Sequence, residues 1–240
     1  MRIAPLRLAL ALLAFCLAGC GRSESYRYKL TVQVNTSEGV KRTSNAIEVQ
    51  FSRVSVPARG VMHQLNGEAL YLDLGAGRRP LIVSIVNQLR PSNGKDVRWS
   101  RDGGPSETLL AELFGAQLTG DDLLEKISSL STKRGSHEIR PDDLPDLLTF
   151  GDVNVPSSVM EVDRHNLPAS LGQNLSWAKV TLEVTDEPVT KNINSRLPWL
   201  QEYFEKNLRL DGANHGAKRE LANILSWSDF EQTRDLKRTR

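Results

Sequence analysis

The sequence predicts an α+β domain built mostly from antiparallel sheet, with helices packed on one side. Alternating apolar and polar residues, typical of half-buried strands, occur at residues 26–34, 47–51 and 177–184. Turn residues such as the "NTSEG" that follows the first strand favour antiparallel pairing. Two segments with apolar residues at helical spacing, 106–115 and 118–130, supply the covering helices.

The first half of the chain predicts two hairpins. "YRYKLTVQV" places Tyr26, Tyr28, Leu30, Val32 and Val34 on one face and polar residues on the other, and it pairs with the strand around 47–51. "GEALYLDL" and "PLIVSIVNQL" form the second hairpin, with "GAG" as its turn. Because residues 81–86 are apolar on both faces except Ser84, we expect a central, covered strand there.

Three segments predict helices. "PSETLLAELFG" has Ser106 as N-cap and ends at Gly115. "LTGDDLLEKISSL" begins after Thr119 as its cap. "LPWLQEYFEKNLRLDG" is the strongest helix, with Pro198 in its first turn and Gly212 at its end.

The remaining elements are shorter. Between 132 and 168 the pattern is irregular, with strand-like pieces at 147–150 and 159–162. "WAKVTLEV" restores alternation, and we expect its inward face to carry Ala178, Val180, Leu182 and Val184. A short helix is expected within 217–225.

The N-terminus has the layout of a secretory signal. Arg2 and Arg7 precede an apolar run from Leu8 to Gly19, which is followed at once by polar residues. A membrane-spanning helix needs about 20 apolar residues, so this run is short for a permanent span.

The end of this run, Leu17-Ala18-Gly19-Cys20, resembles the lipobox of bacterial lipoproteins. The resemblance implies that the Cys20 thiol receives a diacylglyceryl group and that residues 1–19 are removed. It also implies that the new amino group of Cys20 is commonly acylated. The alternative is that Cys20 is a buried thiol or is disulfide-bonded to Cys16. Removal of the signal would also remove Cys16 and leave no second thiol in the mature chain.

The lipobox resemblance sets the predicted domain organisation. Residues 1–19 are the signal, 20–25 the lipidated cysteine and a short tether, 26–230 a single α+β domain, and 231–240 a flexible basic tail. The protein is then expected in the bacterial cell envelope, held to a membrane by lipid and facing the periplasm. In enteric-type lipoproteins a residue other than aspartate after the cysteine favours the outer membrane, and here that residue is Gly21.

The charge of the chain argues against nucleic acid as a partner. The sequence has 31 basic and 29 acidic residues, and loss of Arg2 and Arg7 with the signal leaves 29 of each. A neutral chain exerts no general attraction on nucleic acid. The basic end "KRTR" at 237–240 is interpreted as a solvated tail.

Catalytic motifs are weak in this sequence. "SNGK", from Ser92 to Lys95, matches S-x-x-K but lies in a loop-like context, and there is no G-x-S-x-G or H-E-x-x-H motif. The four histidines share no ligand spacing, although "EVDRHN" places Asp163 near His165. The aspartates of "GDD" and "RPDDLPDLL" are interpreted as caps rather than acid–base pairs. We therefore assign no catalytic residue, metal or cofactor from the sequence.

The most distinctive stretch is "TDEPVTKNINSRLPWL", between a clear strand and the strongest helix. Asp186, Glu187, Arg196 and Trp199 are its candidate binding residues. They could line a shallow site at the end of the strand. They could equally form a salt bridge and a core anchor that fix the strand-to-helix corner.

"YRYKLTVQVNTSEG", "GEALYLDLGAGRRPL" and "VTDEPVTKNINSRLPWL" together resemble a group of proteobacterial lipoproteins and secreted proteins without an assigned activity. The resemblance implies an envelope location and a shared fold but no catalytic residues. We expect a non-enzymatic binding or structural module that contacts another envelope protein, a cell-wall component or lipid. The alternative is a periplasm-facing hydrolase acting on an envelope substrate, whose carboxylates, or Ser92 and Lys95, converge only in the fold.

Overall fold

A computed structural model describes residues 22–53, 61–75, 77–87, 90–92, 96–98, 105–118, 120–216 and 219–232. The strands are β1 Ser23–Thr36, β2 Gly39–Arg53, β3 Val61–Glu68, β4 Leu70–Leu72, β5 Leu81–Val83, β6 Arg90–Ser92, β7 Asp96–Arg98, β8 Ser136–Glu138, β9 Leu147–Phe150, β10 Val159–Glu161, β11 Ser176–Val184 and β12 Glu231–Gln232. The α-helices are α1 Pro105–Leu113, α2 Leu123–Ser131, α3 Leu167–Leu171, α4 Leu200–Lys206 and α5 Leu221–Ile224.

These elements confirm the predicted α+β class with mostly antiparallel sheet. One sheet has the order β12-β3-β2-β1-β11-β8, and a second has the order β10-β9-β5-β4. Strands β6 and β7 form a separate two-stranded sheet. The strands pair antiparallel. Both predicted hairpins are present, as β1–β2 and β4–β5.

The β1–β2 hairpin is the longest feature of the molecule. Its register runs from Ser23 opposite Ser52 to Thr36 opposite Gly39. Gly39 has a φ of +112°, a value that favours glycine at this turn. Strand β1 begins at Ser23, within the segment that was assigned to the tether.

Two apolar clusters lie on opposite faces of the four-stranded sheet. In β5, Leu81 and Val83 belong to the first cluster, and Ile82 belongs to the second, as strand alternation requires. The first cluster lies against the inner face of the six-stranded sheet and includes buried residues of α1 and α2. The second includes aromatic residues from β9, the start of α4 and the chain before β12, namely Phe150, Trp199 and Phe230.

Several local expectations differ from the structure. Ala178 is exposed rather than inward, because the β1–β11 register shifts between Gln33 and Val34. Helix α4 ends at Lys206, before the predicted Gly212, because Asn207 adopts a left-handed conformation (φ 54°) that stops the helix. Glu231 and Gln232, which were assigned to the tail, form β12 against β3.

The two predicted N-caps lie outside what is described, since Thr119 and the side chain of Ser106 are not included. Among the described residues, no helix is long and apolar enough to cross a membrane.

Candidate functional site

The distinctive stretch forms a crossing segment, defined here as Thr185–Trp199, that passes over the outward side of the six-stranded sheet. It leaves β11 beside β1, where Arg27 Nη1 donates to the carbonyl oxygens of Asp186 (3.3 Å) and Glu187 (3.0 Å). It then reaches the far edge of β2, where Thr190 N donates to the Ala46 oxygen at 3.0 Å. Ala46 N in turn donates to Thr190 Oγ1 at 2.9 Å. The small side chain of Ala46 is 2% exposed, so the segment packs closely on the strand there.

Asp186 and Glu187 lie together at the start of this segment and are exposed. Lys29 Nζ lies 2.5 Å from Glu187 Oε1 and 2.9 Å from Glu183 Oε1. Hydrogen bonds from its ammonium group to Glu187 and then Glu183 raise the pKa of Lys29. The ion pair with Glu187 attaches the segment to Lys29 of β1 rather than to its own Arg196.

Arg196 and Trp199 lie at the other end of the crossing segment, where they contact residues of the four-stranded sheet rather than β1. The Arg196 guanidinium lies 5.6 Å from the centre of the Tyr71 ring. Trp199 is 7% exposed and its Nε1 donates to the Val153 oxygen at 2.8 Å. Its indole also makes an edge contact with Phe150 at 5.8 Å between ring centres. Trp199 is therefore a core anchor, and the contacts of the four candidate residues divide between two regions.

Sequence reasoning missed a buried acid pair under the crossing segment. Glu68 is 1% exposed and Glu231 is 8% exposed, and they lie directly opposite each other in the β3–β12 register. Glu68 Oε2 accepts hydrogen bonds from the backbone N–H of Asn192 (2.6 Å) and Ile193 (2.9 Å). Glu231 Oε2 accepts one from Asn194 Nδ2 at 2.8 Å. The two carboxyl groups therefore hold the middle of the crossing segment.

The environment of Glu68 makes its carboxyl group harder to ionise than an exposed glutamate. Burial raises the pKa of Glu68, the backbone N–H groups of Ile193 and Asn192 oppose that rise, and the Glu231 carboxylate adds to it. Its other oxygen, Oε1, is buried without a hydrogen-bond partner in the described part of the chain. Since Oε2 accepts both amides, a proton on Glu68 belongs on Oε1.

The carboxylates considered from the sequence are engaged in local structure. Asp143 Oδ2 accepts the backbone N–H of Arg140 at 3.1 Å, at the start of the 3-10 turn Pro141–Asp143. Asp122 Oδ1 lies 3.0 Å from Lys126 Nζ. His165 is exposed, with its Nε2 3.3 Å from Asp142 Oδ1. Among the described residues, no group of three or more His, Cys, Asp or Glu side chains is arranged to hold a metal ion.

Ser92, the first residue of the S-x-x-K motif, lies on a strand rather than at a helix start. Ser92 is the last residue of β6 and lies opposite Asp96 in β7. Lys95 falls outside the described residues.

A groove of about 470 Å³ lies near the tip of the β1–β2 hairpin. One side is the turn Gly77–Pro80 and the other is Phe150–Val153. Arg78 joins the groove to the tip, since its Nη2 donates to Ser37 Oγ at 2.7 Å and its Nη1 to the Leu74 oxygen at 3.3 Å. The sequence predicts only a hairpin turn for "GAGRRP". No pattern near this stretch indicates that Phe150 lies beside it.

A second concavity of about 310 Å³ lies between α1 and β8. Its lining includes Glu112, Glu138 and Asp143, and its single arginine, Arg140, pairs with Asp143 at 2.9 Å. This concavity is therefore acidic, whereas the groove at the hairpin tip carries two arginines.

No protein-family model matches the chain, and no curated protein or solved structure is significantly similar to it.

Proposed function

We propose that this chain is a bacterial envelope lipoprotein, anchored through Cys20 and facing the periplasm, that acts as a non-enzymatic binding module. The lipobox Leu17–Cys20 carries the anchor. A lipid pair on Cys20 gives durable attachment, since a single acyl chain binds a membrane only marginally. Its partner is another envelope protein or a cell-wall component.

The observation that supports this role most is that β1 begins three residues after the proposed anchor and ends beside the groove. Ser23, the first residue of β1, follows Cys20 by three residues, a reach of at most about 11 Å. Arg22 already contacts the domain, with Nη1 donating to Glu125 Oε1 at 2.8 Å. Strand β1 has 14 residues and therefore extends about 45 Å. Arg78, which lines the groove, donates to Ser37, just beyond the other end of β1. The groove is therefore held far from the lipid.

The carboxylates that already have partners within the fold favour a binding role over hydrolysis. Asp143 and Asp122 have local partners, and Glu68 and Glu231 lie under the crossing segment. A hydrolytic acid–base pair has to reach a substrate, and burial of Glu68 to 1% exposure leaves no access to its carboxyl group.

The anchor is tested by metabolic labelling with a radioactive fatty acid and by the size of the mature protein. Cys20→Ala should abolish the label and block cleavage, whereas Cys16→Ala, the matched control within the signal, should leave both intact. Mature-size, labelled protein from Cys20→Ala would refute the proposal. Outer-membrane placement predicts that Gly21→Asp shifts the protein to the inner-membrane fraction.

The binding role is tested separately by photo-crosslinking in intact cells. A crosslinking amino acid replaces Asp152, beside the groove, or Ser129, which is exposed on α2. We expect a discrete adduct with the Asp152 probe and not with the Ser129 probe. Identical adduct patterns from both positions would argue against a binding surface at the groove.

A further inference from the structure

We propose that the groove at the hairpin tip binds an amphipathic monocarboxylate, that is, a carboxylate joined to an apolar group, of which the C-terminus of an apolar peptide is the simplest example. This ligand class rests on the binding role proposed above. The groove residues that carry the argument are Arg78, Arg79, Pro80, Phe150, Asp152 and Val153.

The two arginines supply the anion-binding groups. Arg79 is exposed, and its one hydrogen bond among the described residues is a long one, from Nη1 to the Ser170 oxygen at 3.4 Å. Arg78 is half-buried and positioned by its bonds to Ser37 and Leu74. Neither guanidinium lies within 4.0 Å of a carboxylate oxygen in the described part of the chain, and the Glu38 carboxylate, whose pKa is lowered chiefly by Lys41, is lowered further by the charge of Arg78. Each guanidinium has five N–H donors, so both retain donors for a ligand, and their planar geometry suits two-oxygen contacts with a carboxylate.

The floor of the groove has both apolar and polar surface, and its apolar residues are fixed in place. Pro80 and Phe150 are buried, and Val153 is half-buried. The Phe150 ring packs against Trp199 and Phe230 at 5.8 and 5.9 Å between ring centres. The indole of Trp199 also holds the Val153 carbonyl. Apolar lining residues beside two cations favour a ligand with an apolar group next to its charge over a fully hydrated inorganic anion.

Charge balance limits the ligand to one negative charge. Asp152 also lines the groove, so the lining carries one net positive charge. The Asp152 carboxylate is partly satisfied by its own turn, where Oδ1 accepts the backbone N–H of Asn154 at 2.9 Å and its Nδ2 at 3.1 Å. A dianion would meet repulsion from this carboxylate. The acidic concavity beside α1 lacks this cationic character and should not bind the same ligand.

The experiment measures binding of three probes to the mature lipoprotein purified in detergent, by calorimetry or NMR titration. The probes are N-acetyl-alanyl-alanine, its C-terminal amide and inorganic phosphate. We expect the free carboxylate to bind at least tenfold more tightly than either of the others. Equal binding of the amide would overturn the role of the charge, and equal binding of phosphate would overturn the amphipathic preference.

Variants locate the site. Arg79→Gln should weaken binding of the carboxylate probe at least tenfold, and Arg79→Lys should restore only part of it, because lysine lacks the two-donor geometry. Arg134→Gln is the matched control, since Arg134 is exposed on the chain after α2 and bonds only to nearby carbonyls. A melting temperature equal to that of wild type shows that Arg79→Gln is folded. Wild-type affinity in that folded variant would overturn the proposal.

The two proposals fail independently. If the carboxylate probe does not bind but the Asp152 crosslink in cells is retained, the ligand class is wrong and the binding role stands. If the probe binds but Cys20 is not lipidated, the envelope anchor is wrong and the groove stands.

Discussion

Replacing Glu68 with alanine should destabilise the protein through the crossing segment. The variant leaves the backbone N–H groups of Asn192 and Ile193 without their acceptor, and Ile193 is fully buried. The buried N–H of Ile193 costs about 1–3 kcal/mol when it is left unsatisfied, whereas Asn192 is exposed and its N–H can bond to water at a smaller cost. Relief of repulsion with Glu231 offsets part of this, and we expect a loss of about 1–3 kcal/mol in the free energy of unfolding.

Replacing Glu68 with glutamine separates the shape of the side chain from its charge. The amide oxygen can accept both N–H groups, and the amide nitrogen occupies the position of Oε1, which has no partner among the described residues. We expect this variant to lose less stability than Glu68→Ala, because both backbone N–H groups keep their acceptor, and to be less stable than wild type, because its buried amide nitrogen has no acceptor among the described residues. Glu138→Ala is the matched control, because Glu138 is exposed in the same sheet and lies 3.8 Å from Lys179.

The assay is chemical denaturation followed by tryptophan fluorescence, combined with hydrogen exchange at the amides of residues 192 and 193. Glu68→Ala should speed exchange at both amides, and Glu138→Ala should not. A Glu68→Ala variant as stable as wild type would refute the reasoning. A Glu68→Gln variant as unstable as Glu68→Ala would contradict the idea that a neutral acceptor at the position of Oε2 is enough to hold the segment.

Three further predictions follow from the same contacts. The raised pKa of Glu68 means that the native state keeps a proton that the unfolded chain releases near pH 4.3. The stability of wild type, relative to Glu68→Gln, should therefore fall as pH rises through the native pKa. A difference in stability that does not change with pH would contradict this. Trp199→Phe should lose about 1–2 kcal/mol in denaturation, because it removes the bond to Val153 and part of the buried ring. Lys29→Met should lose about 0.5–1 kcal/mol at low salt and less at high salt, and an equal loss at both would exclude its ion pair with Glu187 as the cause.

The sequence predicted the fold where local patterns decide it. The β1–β2 hairpin follows from alternation and a glycine turn, and β5 is central and covered as its apolar run indicates. The bulge at Ala178 and the early stop of α4 at Asn207 were missed, because each depends on a single residue departing from an otherwise regular pattern.

The candidate site depends on long-range contacts that no local pattern encodes. Glu68 lies 124 positions before Asn192, whose N–H it accepts, and at the level of sequence it was an ordinary polar residue at the start of a hairpin. Arg79 and Phe150 likewise meet only because β5 and β9 pair. The unusual composition of the 185–200 stretch did indicate a segment with long-range contacts, since it contacts β1, β2 and β3.

The crossing segment has two separate attachments, and these have different consequences for function. Its middle is held by Glu68 and Glu231, whereas its end, Trp199, packs beneath the groove against Phe150 and Val153. A change at Glu68 should therefore alter stability with little direct effect on the carboxylate site, and a change at Arg79 should do the reverse. A change at Trp199 should affect both, because the same indole supports the second apolar cluster and the floor of the groove. Measuring stability and probe affinity in all three variants thus distinguishes a residue that holds the fold from one that contacts the ligand.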